Sequence, residues 1–266
     1  MNNNERYYID NTMNNQMTYV ALNLDISDST HGKKHDRLVE SVKFLENQVF
    51  NSELLYSSVL DAIIEFNSDS KLVKAFGPAN EKDFKISDPY GMTSYYETLY
   101  KSTQYMLRQI KEAQKHSITA KAGFIITLTD GLPTDDGEYK DKALKIMEYG
   151  KSKGLIYIAL AVDETGYDCD IDLLKSEHDY VFKCTDPNSI INFFEKVVLK
   201  SISIVSQSVT GSEFVVPGTN IKGVSEVAII PENSIILNNN DGFIECWCWD
   251  NLLSQHLCKE KGCIYD

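Results

Sequence analysis

The pentapeptide DISDS sets a carboxylate at Asp25 and hydroxyls at Ser27 and Ser29, every second position, where the apolar run YVALNL gives way to polar chain. Two other stretches offer donors of the same kind. TLTDG closes an apolar run with Thr129 and Asp130, and GMT brings Thr93 to the opening of a helical pattern. Carboxylates and neutral hydroxyls are hard oxygen ligands, the set that Mg²⁺ favours, and Mg²⁺ keeps waters that another molecule can replace. With only Asp25 and Asp130 acidic, such a shell leaves the cation electrophilic toward a carboxylate from another protein. Taken alone, the same residues also fit a strand exit in which Ser27 and Ser29 cap a helix or bond a turn.

The elements around these residues decide how they are held. MTYVALNLD (17–25), AGFIITLTD (122–130) and LIYIALAVD (155–163) read as strands buried on both faces, because they carry no polar alternation. YVFKCT (180–185) is a further strand. SVLDAIIEFNS (58–68) and KLVKAFG (71–77), joined by a polar turn, predict an antiparallel pair. Helical spacing recurs in 33–50 through Leu38, Val39, Val42, Leu45 and Val49, and in 93–117 through Tyr96, Leu99, Tyr100, Met106 and Ile110. Further helices are expected after GLPTDD, closed by Gly154, over DIDLLKSEH, and as one long final helix over 188–209. Strands alternating with helices predict an α/β fold, a doubly wound, mainly parallel sheet covered on both faces. Right-handed crossovers bring the C-terminal strand ends, and with them Asp25, Asp130 and Asp163, to the edge where such sheets bind ligands.

In chain order, DISDS after the first strand, GMT before a helix and TLTDG after a central strand resemble the metal-ion-dependent adhesion site of von Willebrand factor A domains. The resemblance spans roughly residues 17–208. It implies a Mg²⁺ site (or one for Mn²⁺ or Ca²⁺) held by Asp25, Ser27, Ser29, Thr93 and Asp130, and completed by an acidic residue of a partner protein. It also implies direct coordination by Thr93 in a high-affinity state, coupled to a shift of the final helix. LTDGLPTDD (128–136) and the helix ending FFEKVVLKSISIVSQSV are similar to the intracellular bacterial branch of TerY- and YegL-like proteins. That likeness implies an adaptor linked to kinases or phosphatases in a stress response of the tellurite-resistance type. The chain departs from the family pattern twice: Asp28 stands where Gly is usual, and YGM leaves only Gly91 before Thr93.

Neighbouring candidates read as structural. Asp135 and Asp136 precede a helix and are expected to cap it. Asp163 is either a supporting group of the site or a solvated turn. His31 and His35 straddle a helix start and read as exposed polar residues, and Tyr95, Tyr96 and Tyr100 as a packing face, with Tyr95 near enough to rim the site. Catalysis is not expected: an aspartate-nucleophile phosphatase needs a second Asp where Ser27 stands, and no serine elbow, phosphate-cradling loop or zinc-protease helix occurs. A metal-dependent phosphoester hydrolase and a surface adhesin are the alternatives to a protein-binding module.

Composition bounds these readings. A net charge of −13 over 266 residues argues against nucleic acid as a partner. No apolar stretch is long enough to span a membrane, and the Asn-rich start has no secretory signature, so a cytoplasmic protein is expected. Residues 1–16 read as a flexible leader, 17–209 as the main domain and 210–266 as a small β-rich tail. The tail crowds Cys246, Cys248, Cys258 and Cys263 into its end. These four are candidates for a structural Zn²⁺ site, with free thiols as the alternative.

Overall fold

Gln16–Asp25 forms β1, and its side chains alternate between two cores: Val20, Leu22 and Leu24 enter one, Tyr19 and Ala21 the other. A strand apolar on both sides belongs at the centre of a sheet, and β1 lies there. The computed structural model describes residues 16–80, 84–135, 137–166, 168–207 and 224–229. After β1 come α1 (Lys33–Phe50), α2 (Glu53–Ser58), β2 (Val59–Phe66), β3 (Ser70–Gly77) and α3 (Tyr95–Lys115). Next are β4 (Thr119–Thr129), α4 (Glu138–Ser152), β5 (Leu155–Val162), α5 (Ile171–Glu177) and β6 (Tyr180–Cys184). The described chain closes with α6 (Ile190–Phe193), α7 (Leu199–Gln207) and β7 (Val224–Ile229).

The sheet order is β3-β2-β1-β4-β5-β6-β7. Strands β2, β1, β4, β5 and β6 are parallel, and antiparallel β3 and β7 form the edges. Helices α1, α6 and α7 cover one face, while α3 and α4 cover the other. From β1 the chain moves outward to β2 and β3, then returns by α3 to β4 on the opposite side of β1. The strand order therefore reverses between β1 and β4, and a crevice opens at their C-terminal ends. Those ends carry Asp25, Thr129 and Asp130.

The expected fold class matches this architecture, and the antiparallel pair is present as β2 and β3. Three details differ. The six-residue α2 was not anticipated, being too short to show a period; the Ser52 hydroxyl accepts from the Leu55 amide and caps it. The final helix is not uniform: α6 and α7 are joined by a π-helical stretch, Phe194–Val198, where the sequence has neither Pro nor Gly to mark it. β7 lies in the stretch read as tail, yet it pairs with β6 from Cys184↔Val224 to Tyr180↔Ile229 and extends the main sheet. Cys246, Cys248, Cys258 and Cys263, and the leader up to residue 15, lie outside the described residues. Among the described residues no helix is long and apolar enough to cross a membrane.

Close packing sets one test of this arrangement. A Cβ at Gly150 on α4 would overlap the Tyr157 hydroxyl and lie 3.1 Å from Leu155 Cδ1 and 3.3 Å from Thr103 Cγ2. Strand β5 and helix α3 hold those atoms in place, so Gly150→Val is expected to cost about 3 kcal/mol in denaturant unfolding. A variant as stable as the parent would show that α4 does not sit this close to the sheet.

Candidate metal centre

β1 delivers Asp25 to the crevice almost fully buried. Its Oδ1 accepts from the Ser27 amide at 2.9 Å and the Ser27 hydroxyl at 2.6 Å, and its Oδ2 accepts from Thr129 Oγ1 at 2.7 Å. Ser27 Oγ lies 3.0 Å from Ser29 Oγ, which donates to Asp130 Oδ1 at 2.6 Å. Asp25, Ser27, Ser29 and Asp130 thus form one continuous chain of oxygens. A short 3-10 turn, Asp28–Thr30, makes it possible: Thr30 donates its amide and its hydroxyl to the Ser27 carbonyl, holding Ser27 and Ser29 side by side.

Thr93 arrives on a separate loop that backbone bonds tie to the first. The Asp28 amide donates to the Gly91 carbonyl, the Tyr90 amide to Ile26 and the Ser94 amide to Asn67. Gly91 has φ +80°, and a Cβ there would meet Ser68 Oγ at 2.5 Å, so glycine is required at this position. The third loop follows β4. Thr134 ties it to Thr93: the Thr93 amide donates to Thr134 Oγ1 and the Thr134 amide to the Thr93 carbonyl. A Cβ placed on Gly131 would lie 3.2 Å from Thr93 Oγ1, 3.5 Å from Ser29 Oγ and 4.0 Å from Asp25 Oδ2. Oxygens from the first two loops therefore converge on the space that Gly131 of the third leaves open, and Asp130 beside it joins them through Ser29.

This donor set fits a hard divalent cation. Among the described residues no group of three or more His, Cys, Asp or Glu side chains could hold a metal ion. A cation here would depend on hydroxyls beside its two carboxylates. Burial pushes Asp25 up to about 6, and the negative Asp130 adds to that against the Ser27 and Thr129 donors. A buried carboxylate held above its ordinary range gains from a cation beside it.

The remaining candidates separate from this cluster. Asp135 does cap a helix, but not the one that follows it: its carboxylate accepts from the Tyr96 and Glu97 amides at the start of α3, whereas α4 has Gly137 at its N-cap and no side-chain cap. Tertiary proximity puts the first-turn amides of α3 within reach of this carboxylate. Asp136 lies outside the described residues. Asp163 is fully buried rather than solvated, binding the Gly166 and Asp168 amides and Lys183 Nζ. His31 contacts the Asp28 carbonyl, and His35, partly buried, contacts the Ser87 carbonyl on the loop before Thr93. Tyr95 does not rim the site; it is buried, with its hydroxyl donating to Glu177. The Asp28 carboxylate points to the surface.

Sequence reasoning missed Lys34, whose Nζ lies 2.7 Å from Asp130 Oδ2. A signal was present: Lys33 and Lys34 occupy the first turn of α1, where the helix dipole disfavours cations. It also missed the rim. Tyr90, Met92 and Leu132 are the three most exposed large apolar side chains among the described residues, at 56 %, 56 % and 53 %. All three flank the oxygen cluster: Met92 precedes Thr93, Leu132 follows Gly131, and Tyr90 pairs with Ile26.

The sheet and its coverage match the fold of von Willebrand factor A domains. No protein-family model and no curated protein matches the sequence. Among solved structures, a von Willebrand factor type A protein from Catenulispora acidiphila aligns at TM-score 0.55 and 14% identity, over 74% of this chain and 44% of that one. The PilB minor pilin from Streptococcus sanguinis aligns at TM-score 0.52 and 12% identity, over 71% of this chain and 61% of that one. A pilus adhesin, SpaC from Lactobacillus rhamnosus GG, aligns at TM-score 0.50 and 16% identity, over 72% of this chain and 30% of that one. The chain therefore spans less than two thirds of the length of these structures, and the likeness is one of fold.

Proposed function

We propose that this chain is a divalent-cation-dependent protein-binding module without catalytic activity. Asp25, Ser27, Ser29, Thr93 and Asp130 hold Mg²⁺, and a partner protein completes the shell with an acidic side chain. The observation that carries the reading is the meeting of these oxygens from three loops around Gly131. When bound, the cation supplies an electrophilic centre for that carboxylate. The chain's own residues orient it: Thr129 and Ser27 fix the Asp25 carboxylate, and Thr134 fixes the Thr93 loop. Tyr90, Met92 and Leu132 give the partner apolar surface around the charged contact, the composition expected of a docking face.

The finer reading is a cytoplasmic adaptor of the TerY-like, tellurite-resistance type, with a kinase or phosphatase as partner. Support for it lies in LTDGLPTDD and the sequence resemblance described above. A second reading, a surface adhesin, draws on the pilin and pilus adhesin that share the fold. Fractionation of native cells separates the two, since an adhesin is found outside the cell.

Calorimetric titration with Mg²⁺ tests the site. Thr93→Ala is expected to weaken cation binding while its melt stays close to the parent's, because Thr93 fills no core position. Affinity capture with Mg²⁺ against chelator then identifies the partner. Sustained phosphoester turnover that Asp25→Ala abolishes would replace this reading with the hydrolase alternative.

A further inference from the structure

We propose that Lys34 is a built-in competitor of the metal, an ammonium that holds Asp130 until a cation displaces it toward Asp168. The inference rests on the metal-binding reading and concerns how that site is regulated. Lys34 Nζ donates to Asp130 Oδ2 at 2.7 Å while Ser29 donates to Oδ1 at 2.6 Å, so both oxygens of Asp130 are engaged. The pair is well shielded, with Lys34 14% and Asp130 2% exposed at the side chain. Screening by solvent and salt is therefore weak, and the ammonium and a dication contend for one carboxylate at close range.

A second position for the ammonium is already present. Asp168 Oδ2 lies 4.0 Å from Lys34 Nζ, outside the oxygen cluster. The Glu164 and Thr165 amides and the Thr165 hydroxyl hold that carboxylate in place. A cavity of about 20 Å³, room for about one water, is lined by Lys34, Asp130, Asp25, Thr30 and Leu38. Asp130 and Asp168 flank the ammonium, so exchange from one carboxylate to the other needs only a short movement of Nζ. Burial alone would lower the Lys34 pKa, but Asp130, Asp168 and Glu164 more than offset it, so the side chain is charged where it stands.

The neighbouring Lys33 provides the control: its side chain is 59% exposed and pairs with Asp186 at 3.8 Å, away from the cluster. Mg²⁺ alone is the probe, followed by calorimetry on the full chain. Lys34→Met is expected to bind Mg²⁺ about tenfold more tightly than the parent, while Lys34→Arg and Lys33→Met stay close to it. Asp168→Asn, which removes the second position, is expected to weaken Mg²⁺ binding several-fold in the parent and clearly less in Lys34→Met, a non-additivity that reports the shared ammonium. A thermal melt of Lys34→Met in chelator, raised by Mg²⁺, verifies that the variant is folded. If the parent binds Mg²⁺ and Lys34→Met binds no more tightly, or Asp168→Asn acts equally in both backgrounds, the competitor role is wrong and the metal site stands. If neither the parent nor Lys34→Met binds Mg²⁺, the functional reading itself fails, and this inference with it.

Discussion

Asp25→Asn is expected to lower Mg²⁺ affinity by about 100-fold or more, because it removes the charged ligand at the centre of the cluster. The amide keeps an oxygen that can accept from Ser27, so the loop survives the change. The pH dependence carries the sharper signature. In the folded chain burial raises Asp25 from 3.8 to about 6. Above pH 6 the carboxylate is ionised in both folded and unfolded states, and the folded state bears the cost. Below 3.8 it is protonated in both and the cost is gone. The difference corresponds to roughly 3 kcal/mol, so in chelator this group makes the parent more stable as pH falls from 7 toward 4. With saturating Mg²⁺ the slope reverses, because a proton on Asp25 competes with the cation. The Mg²⁺-induced rise in melting temperature is expected to be full at pH 7.5 and to fade below pH 6. Asp25→Asn removes this group's share of both slopes. Melts of parent and variant across that range, with and without Mg²⁺, decide the matter: a Mg²⁺ effect that persists unchanged at pH 5 would show that Asp25 is no ligand.

The second large effect lies far from the metal edge. Lys74 Nζ donates to Glu46 Oε1 and Oε2 at 3.0 and 2.8 Å and to Asp61 Oδ2 at 2.6 Å, with all three side chains at most 7% exposed. Glu46 also accepts from the Asn80 amide, so the cluster ties α1, β2, β3 and the chain leaving β3 together. Lys74→Ala leaves two buried carboxylates facing each other without a cation and is expected to cost about 3 to 4 kcal/mol at pH 9. Burial, and then Asp61 beside it, already raise the Glu46 pKa in the parent. Removing the lysine raises it further from about 8, so the variant's Glu46 keeps its proton to higher pH and the deficit shrinks as pH falls from 9 toward 7. Lys74→Met combined with Glu46→Gln and Asp61→Asn is expected to recover most of the loss, since no buried charge then remains. Urea unfolding at pH 9 and pH 7 tests this. An equal deficit at both values would mean that lost packing, rather than uncompensated charge, destabilises the variant.

Sequence alone determined the strands, because β1, β4 and β5 carry near-continuous apolar runs and a sheet covered on both faces accommodates them. Helical spacing over 33–50 also coincides with α1. The oxygen donors were legible as well, since DISDS, GMT and TLTDG stand at element ends, where side chains meet a ligand. Other features exist only once the chain is folded. Asp135 caps α3 rather than α4 because β4 and the loop before Thr93 converge, a contact 38 residues apart in sequence that no local rule contains. Lys34 reaches Asp130 across 96 residues, and Gly131 becomes the open centre of the cluster only when three loops are stacked at the crevice between β1 and β4. Local periodicity specifies which face of an element is buried; which unpaired amide, carboxylate or cation lies opposite is decided by the order of strands in the sheet.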